Sequence, residues 1–140
     1  MVFVMVDTLV WEKVMLDSYS KLLGVPYRKN GRDLNGLDCL GLVLLINKER
    51  NINMPDYVTP DDNMIYQLVM EGKELVEKLD NPESGCIVLF NVRNYLFHIG
   101  IVLEDCASFI HIIQKRNVCK EKLNHDFWKH RIEGFYRWKV

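Results

Sequence analysis

Three side chains have the types that covalent chemistry requires. Cys39 opens an apolar run directly after Asp38; His98 follows 59 residues later and His111 a further 13. A thiol on the first turn of a helix faces unsatisfied backbone N–H groups and the positive end of the helix dipole. Both favour the thiolate, the form of cysteine that attacks a carbonyl carbon. Such a nucleophile needs a base. His98 begins a β-rich run and His111 ends the next, with a turn near residues 104–107 between them. Adjacent antiparallel strands then set the two imidazoles side by side near one end of a sheet. One ring takes the thiol proton and the other holds it in place through a hydrogen bond. The plainer alternatives are a buried core thiol and two satisfied core histidines. Only the ordered combination with Asp38 and Gly41 favours chemistry.

The remaining candidates are weaker. Cys86, Cys106 and Cys119 form no C-x-x-C pair with any other cysteine and read as strand, turn and loop thiols. A zinc site from Cys106, His111 and Cys119 would consume the orienting histidine, so no metal and no cofactor is expected. His125 and His130 are spaced i, i+5, off one helix face, and read as solvated surface. Gly31 to Gly36 matches half of a phosphate loop, but Leu37-Asp38 replaces Lys-Ser/Thr and the carboxylate would repel phosphate.

The elements that must hold these groups follow from periodicity. Trp11, Val14, Met15, Tyr19, Leu22 and Leu23 share one helix face, ended by Gly24 and Pro26. Residues 26–37 read as a loop. Asp38 reads as the N-cap of a buried helix from about Cys39 to about Lys48. Residues 51–63 read as a second loop, and Ile65 to Leu79 as a third helix. Short β-rich runs follow at Cys86–Phe90, His98–Leu103, Phe109–Ile113 and Gly134–Val140. Helices first and strands after predict an α+β fold, with N-terminal helices packed on a small antiparallel sheet.

At 140 residues the chain reads as a single domain, 1–140, long enough to bury a real core. With 49% hydrophobic and 26% charged residues it is neither a disordered tail nor a disulfide-dense miniprotein. A net charge of −1 gives no field for nucleic acid or an anionic membrane. Residues 115–131 carry a local basic excess, read as a solvated face or a contact for an acidic neighbour. The apolar stretch Met1–Val6 is too short for a signal peptide core, so secretion by its own signal is not expected.

The ordered residues resemble a family. Gly24-Val-Pro-Tyr27, Leu37-Asp38-Cys39-Leu-Gly41-Leu-Val43, Gly85 to Phe90, His98-Ile-Gly100-Ile and Phe109-Ile-His111 are similar to the NlpC-type cell-wall peptidases. These are papain-like cysteine hydrolases that cut peptidoglycan stem peptides. The resemblance implies that Cys39 is the nucleophile, His98 the general base and His111 the residue orienting it. It implies Tyr27 near the oxyanion, with Asp38 and Gly41 shaping the nucleophile turn. The implied bond lies between γ-D-glutamate and the diamino acid. The chain departs from the pattern at Leu40, where serine is common, at Gly85-Cys86 in place of Gly-Asp, and at Glu104 to Ala107 in place of a Gly-rich turn.

Asn53 to Tyr57 and Trp128 to Trp138 resemble the small peptidases encoded among phage tail genes. That branch implies tail-tip or baseplate partners, location in a virion or phage-like particle, and action at the bacterial wall during entry. Two other readings remain: a structural tail-tip subunit that keeps the fold with little activity, and a papain-like acyltransferase or amidase. The last usually places its histidine before its cysteine, unlike this chain.

Overall fold

Side-chain alternation along the strands sorts the core between two sides of one antiparallel sheet. The computed structural model describes residues 21–52, 76–93, 96–113 and 116–139. A small hairpin, β1 (Arg32–Asp33) and β2 (Gly36–Leu37), leads into helix α1 (Cys39–Glu49). Six strands follow: β3 (Val76–Leu79), β4 (Ile87–Arg93), β5 (Leu96–Val102), β6 (Ser108–His111), β7 (Cys119–Lys122) and β8 (Ile132–Trp138). Their order across the sheet is β3-β8-β4-β5-β6-β7, every pair antiparallel. This is the α+β arrangement expected from the sequence. Among the described residues no helix is long and apolar enough to cross a membrane.

Leu42, Val43 and Ile46 of α1 pack with Ile87, Ile99, Ile101, Ile110 and Ile112 on one side of the sheet. On the other side Val88, Phe90, Val102 and Phe109 form a second cluster, closed by Leu123 and Trp128. The two sides differ: the helix side is mainly aliphatic, and the opposite side holds the packed rings of Phe90, Phe109 and Trp128.

Helix α1 starts where it does because of Asp38. Its extended backbone (φ −99°, ψ −178°) lets Oδ1 accept the Gly41 N–H at 2.7 Å. The same carboxylate accepts the Asn30 N–H at 2.9 Å and the Arg32 guanidinium at 2.7 Å. Asp38 is only 4% exposed, so these contacts replace lost water. Asp38→Ala removes all three at once and is expected to cost about 2–3 kcal/mol of stability. Urea unfolding should show a lower midpoint at an unchanged slope. A loss under ~0.5 kcal/mol would contradict the capping role.

Several expectations change. The predicted third helix from Ile65 lies outside the described residues as far as position 75, and its end, Val76–Leu79, is strand β3 paired with β8. Val-Glu-Lys-Leu satisfies an i, i+3 helical face equally well; pairing with Phe135 to Trp138 decides. The loop predicted over 26–37 contains the β1–β2 hairpin, with Tyr27 bridging to Leu37. Strand β7 was not predicted. Of the first helix, residues 21 and 22 are described; the helix ends at Gly24, whose φ of +87° is a left-handed helix stop. Trp11 to Ser20 and the segment Asn53 to Tyr57 lie outside the described residues.

Candidate active site

Cys39 is the first residue of α1 and is partly buried. It packs against the Leu89–Phe97 pair and the helix-side core. Its turn is tight: a Cβ on Gly41 would stand 2.0 Å from the Gly31 carbonyl oxygen, so only glycine fits there. Leu40, in the position where serine is common, is buried in the core. Tyr27 is half-buried against the same core; its N–H donates to the Arg116 carbonyl at 3.1 Å.

His98 pairs in register with Phe90, and His111 with Cys119. Ile101 pairs with Ile110, which carries Gly100 across from His111 when the ladder is continued. A Cβ on Gly100 would lie 3.1 Å from the Phe109 ring and 3.4 Å from His111 Cβ. The bare glycine therefore leaves the room across which the two imidazoles meet. His98 Nε2 and His111 Nδ1 are 2.7 Å apart. The His98 ring stacks on Phe90 and Trp128, with centroids 6.0 and 5.5 Å away. Trp128 also stands edge-on to His111 at 5.0 Å.

The hydrogen-bonded chain does not stop at the two histidines. His111 Nε2 is in short contact with Glu121 Oε2, and the Trp128 indole N–H donates to that oxygen at 2.8 Å. Cys119 Sγ lies 3.6 Å from His111 Nε2. This network assigns the tautomers. The Glu121 carboxylate can only accept, from the indole and from His111 alike, so a neutral His111 carries its proton on Nε2 and accepts at Nδ1. His98 must then donate from Nε2, which leaves its Nδ1 lone pair free.

Burial pushes the His98 imidazole down to about 3, and the neighbouring His111 adds to the effect. Burial also lowers His111 to about 4, helped by Arg116. Both rings are neutral at neutral pH, the form in which a base can accept a proton.

The predicted residues thus fall into two groups. His98 and His111 are in direct contact. Cys39 reaches strand β5 from the helix side, at Phe97, the residue before His98, whereas the histidine rings turn toward Trp128. Glu121 and Trp128 were not singled out in the sequence. Half-buried and exposed residues alternate along Cys119-Lys-Glu-Lys122 in the structure, but this charged run carries no hydrophobic alternation that would mark β7 in the sequence.

The other cysteines, like Cys39, form no disulfide. Cys86 is core, with its thiol pushed up to about 11 by burial. Cys106 occupies the β5–β6 turn with φ +57°. Asp105 closes that turn by accepting the Ala107 and Ser108 N–H groups at 2.9 and 2.8 Å, doing what a Gly-rich turn would otherwise do. Cys119, expected in a loop, stands on β7 facing His111. His125 and His130 are exposed.

A model of the NlpC/P60 family matches residues 24–137. The chain belongs to the NlpC/P60 family. Among curated proteins, it is similar to the murein DD-endopeptidase MepS/murein LD-carboxypeptidase of Escherichia coli K12. The two are 27% identical over 118 residues, covering 84% of this chain and 57% of that one. The chain thus spans little more than half the length of the curated relatives it matches. Its fold is similar to an NLP/P60 family protein of Staphylococcus aureus Mu50, with TM-score 0.69, 20% identity, and coverage of 93% of this chain and 42% of that one. It is similar also to the NlpC/p60 domain of the peptidoglycan hydrolase SagA, with TM-score 0.62, 16% identity, and coverage of 92% and 98%.

Proposed function

We propose that the protein is a cysteine endopeptidase that hydrolyses peptidoglycan stem peptides, at the bond between γ-D-glutamate and the diamino acid. The observation that carries this is a neutral histidine pair with a free His98 Nδ1, on the strand that the first turn of α1 reaches with its cysteine. The murein endopeptidase name of the E. coli relative supplies the substrate class.

In this reading Cys39 Sγ gives its proton to His98 Nδ1, which requires the two to meet at the start of β5 when substrate is bound. The imidazolium that forms is held by the thiolate and, through His111, by Glu121. The thiolate attacks the amide carbonyl. The Cys39 backbone N–H and the Tyr27 hydroxyl stabilise the oxyanion. Collapse breaks the C–N bond, and His98 delivers its proton to the leaving amine. Water, deprotonated by His98, then hydrolyses the thioester and frees the cysteine.

We place the enzyme at the tail tip of a phage or phage-like particle, acting on the wall during entry. The support is the resemblance of Trp128 to Trp138, and of Asn53 to Tyr57, to tail-encoded peptidases. The test is digestion of purified peptidoglycan, with fragments identified by mass spectrometry. New amine ends on the diamino acid are expected. Fragments cut elsewhere would reject the bond. No release at all, with the protein still bound in particles, would favour a structural tail subunit.

A further inference from the structure

His111, Cys119 and Glu121 bring three potential ligand atoms within 4.8 Å of one another. They are one imidazole nitrogen, one thiol sulfur and one carboxylate oxygen, a borderline-soft donor set of the kind zinc takes with a fourth position left to water. The nitrogen–sulfur spacing is suitable, and the Glu121 oxygen, now in direct contact with His111 Nε2, must draw back as the ion replaces the proton between them. Zn–N near ~2.0 Å and Zn–S near ~2.3 Å put nitrogen and sulfur about 3.5 Å apart in a tetrahedron. The observed His111 Nε2 to Cys119 Sγ distance is 3.6 Å. Cys119 and Glu121 are i, i+2 on β7 and so face one side of it, and both are partly exposed, which leaves a way in for an ion.

We propose that His111, Cys119 and Glu121 form a site for a zinc-class divalent cation, and that the bound ion switches off the histidine pair by reversing its tautomers. Proton positions are what make the site a switch. Without an ion, His111 carries its proton on Nε2 and His98 donates from Nε2. An ion needs the Nε2 lone pair, so that proton leaves to solvent, as does the Cys119 thiol proton. His111 must then hold its proton on Nδ1, which it takes from His98 Nε2. His98 becomes the acceptor in the pair and takes a proton from solvent at Nδ1. The lone pair that would receive the Cys39 proton is thereby occupied. The two imidazoles hold two protons before and after, so the net release is the single thiol proton.

The inhibitory half of this proposal rests on the peptidase reading; the binding half does not. Binding is therefore tested in the Cys39→Ala chain, with Co²⁺ as probe. A thiolate-to-cobalt charge-transfer band should appear at one equivalent and be lost in Cys39→Ala/Cys119→Ser. Absence of the band, or its survival without Cys119, overturns the site. Ring ¹⁵N shifts should show His98 exchanging its protonated nitrogen on adding Zn²⁺; unchanged shifts overturn the switch. In the otherwise native chain, Cys119→Ser should leave peptidoglycan digestion without metal unchanged. It should also raise the Zn²⁺ concentration for half-inhibition at least tenfold. Equal inhibition of both proteins would locate zinc at Cys39 instead and reject the switch. A chain that digests nothing but still gives the Cys119-dependent band would reject the peptidase reading and leave the metal site standing.

Discussion

Replacing Cys39 by alanine should reduce stem-peptide release from purified peptidoglycan to the background without enzyme. Loss of a covalent nucleophile typically costs on the order of 10⁴–10⁶ in turnover, because binding and oxyanion contacts alone carry only the residual rate. The variant should fold. Alanine is the best helix former, Cys39 is the first helical residue, and the Asp38 cap to the Gly41 N–H does not involve the thiol. Thermal unfolding within a few degrees of the native chain makes the activity loss interpretable. The same position should react fast with iodoacetamide below the ~8.5 of an ordinary free thiol, since the helix start favours the thiolate. Cys86 offers an internal contrast, because its burial pushes the thiol up to about 11 and should leave it unreactive. A Cys39→Ala enzyme that keeps a tenth or more of its activity would remove Cys39 from the chemistry.

Much of this site was legible because it is local. Asp38 before an apolar run is a capping signal wherever it occurs, and α1 begins at the next residue. The pairing of His98 with His111 was legible too, since two β-rich runs joined by a short turn lie antiparallel; the close approach at Gly100 emerges only in the structure. What failed depended on partners distant in sequence. Val76–Leu79 carries equal helix and strand patterns, and β8 settles it from some 60 residues away. Strand β7 is short and charged, so no hydrophobic alternation announces it. Glu121 was lost with it, although it completes the hydrogen-bonded chain. Trp128 reads as an ordinary aromatic until the rings of Phe90, His98 and His111 are found around it.

That chain gives the second large effect, and it separates the two histidines. His98→Ala should lower kcat/KM by about 10²–10⁴, the usual contribution of a positioned general base. His111→Asn should cost much less, about tenfold, a smaller effect than loss of the base. The reason is the tautomer. His111 serves His98 by accepting its Nε2–H, and an asparagine carbonyl oxygen can accept the same proton while its amide N–H turns toward Glu121. His111→Ala offers no acceptor, leaves the buried His98 N–H unpaired, and should fall between the two or approach His98→Ala. An orienting residue and a base also differ in what rescue does. Added imidazole can take a thiol proton in the space vacated by His98→Ala and should restore part of the rate. It cannot restore an orientation, so His111→Ala should gain little. Equal losses in His98→Ala and His111→Asn, or rescue of both to the same degree, would mean that the two rings share the proton as one base. The roles assigned from the Glu121 contact would then be wrong, since that contact fixes which nitrogen of His98 is free.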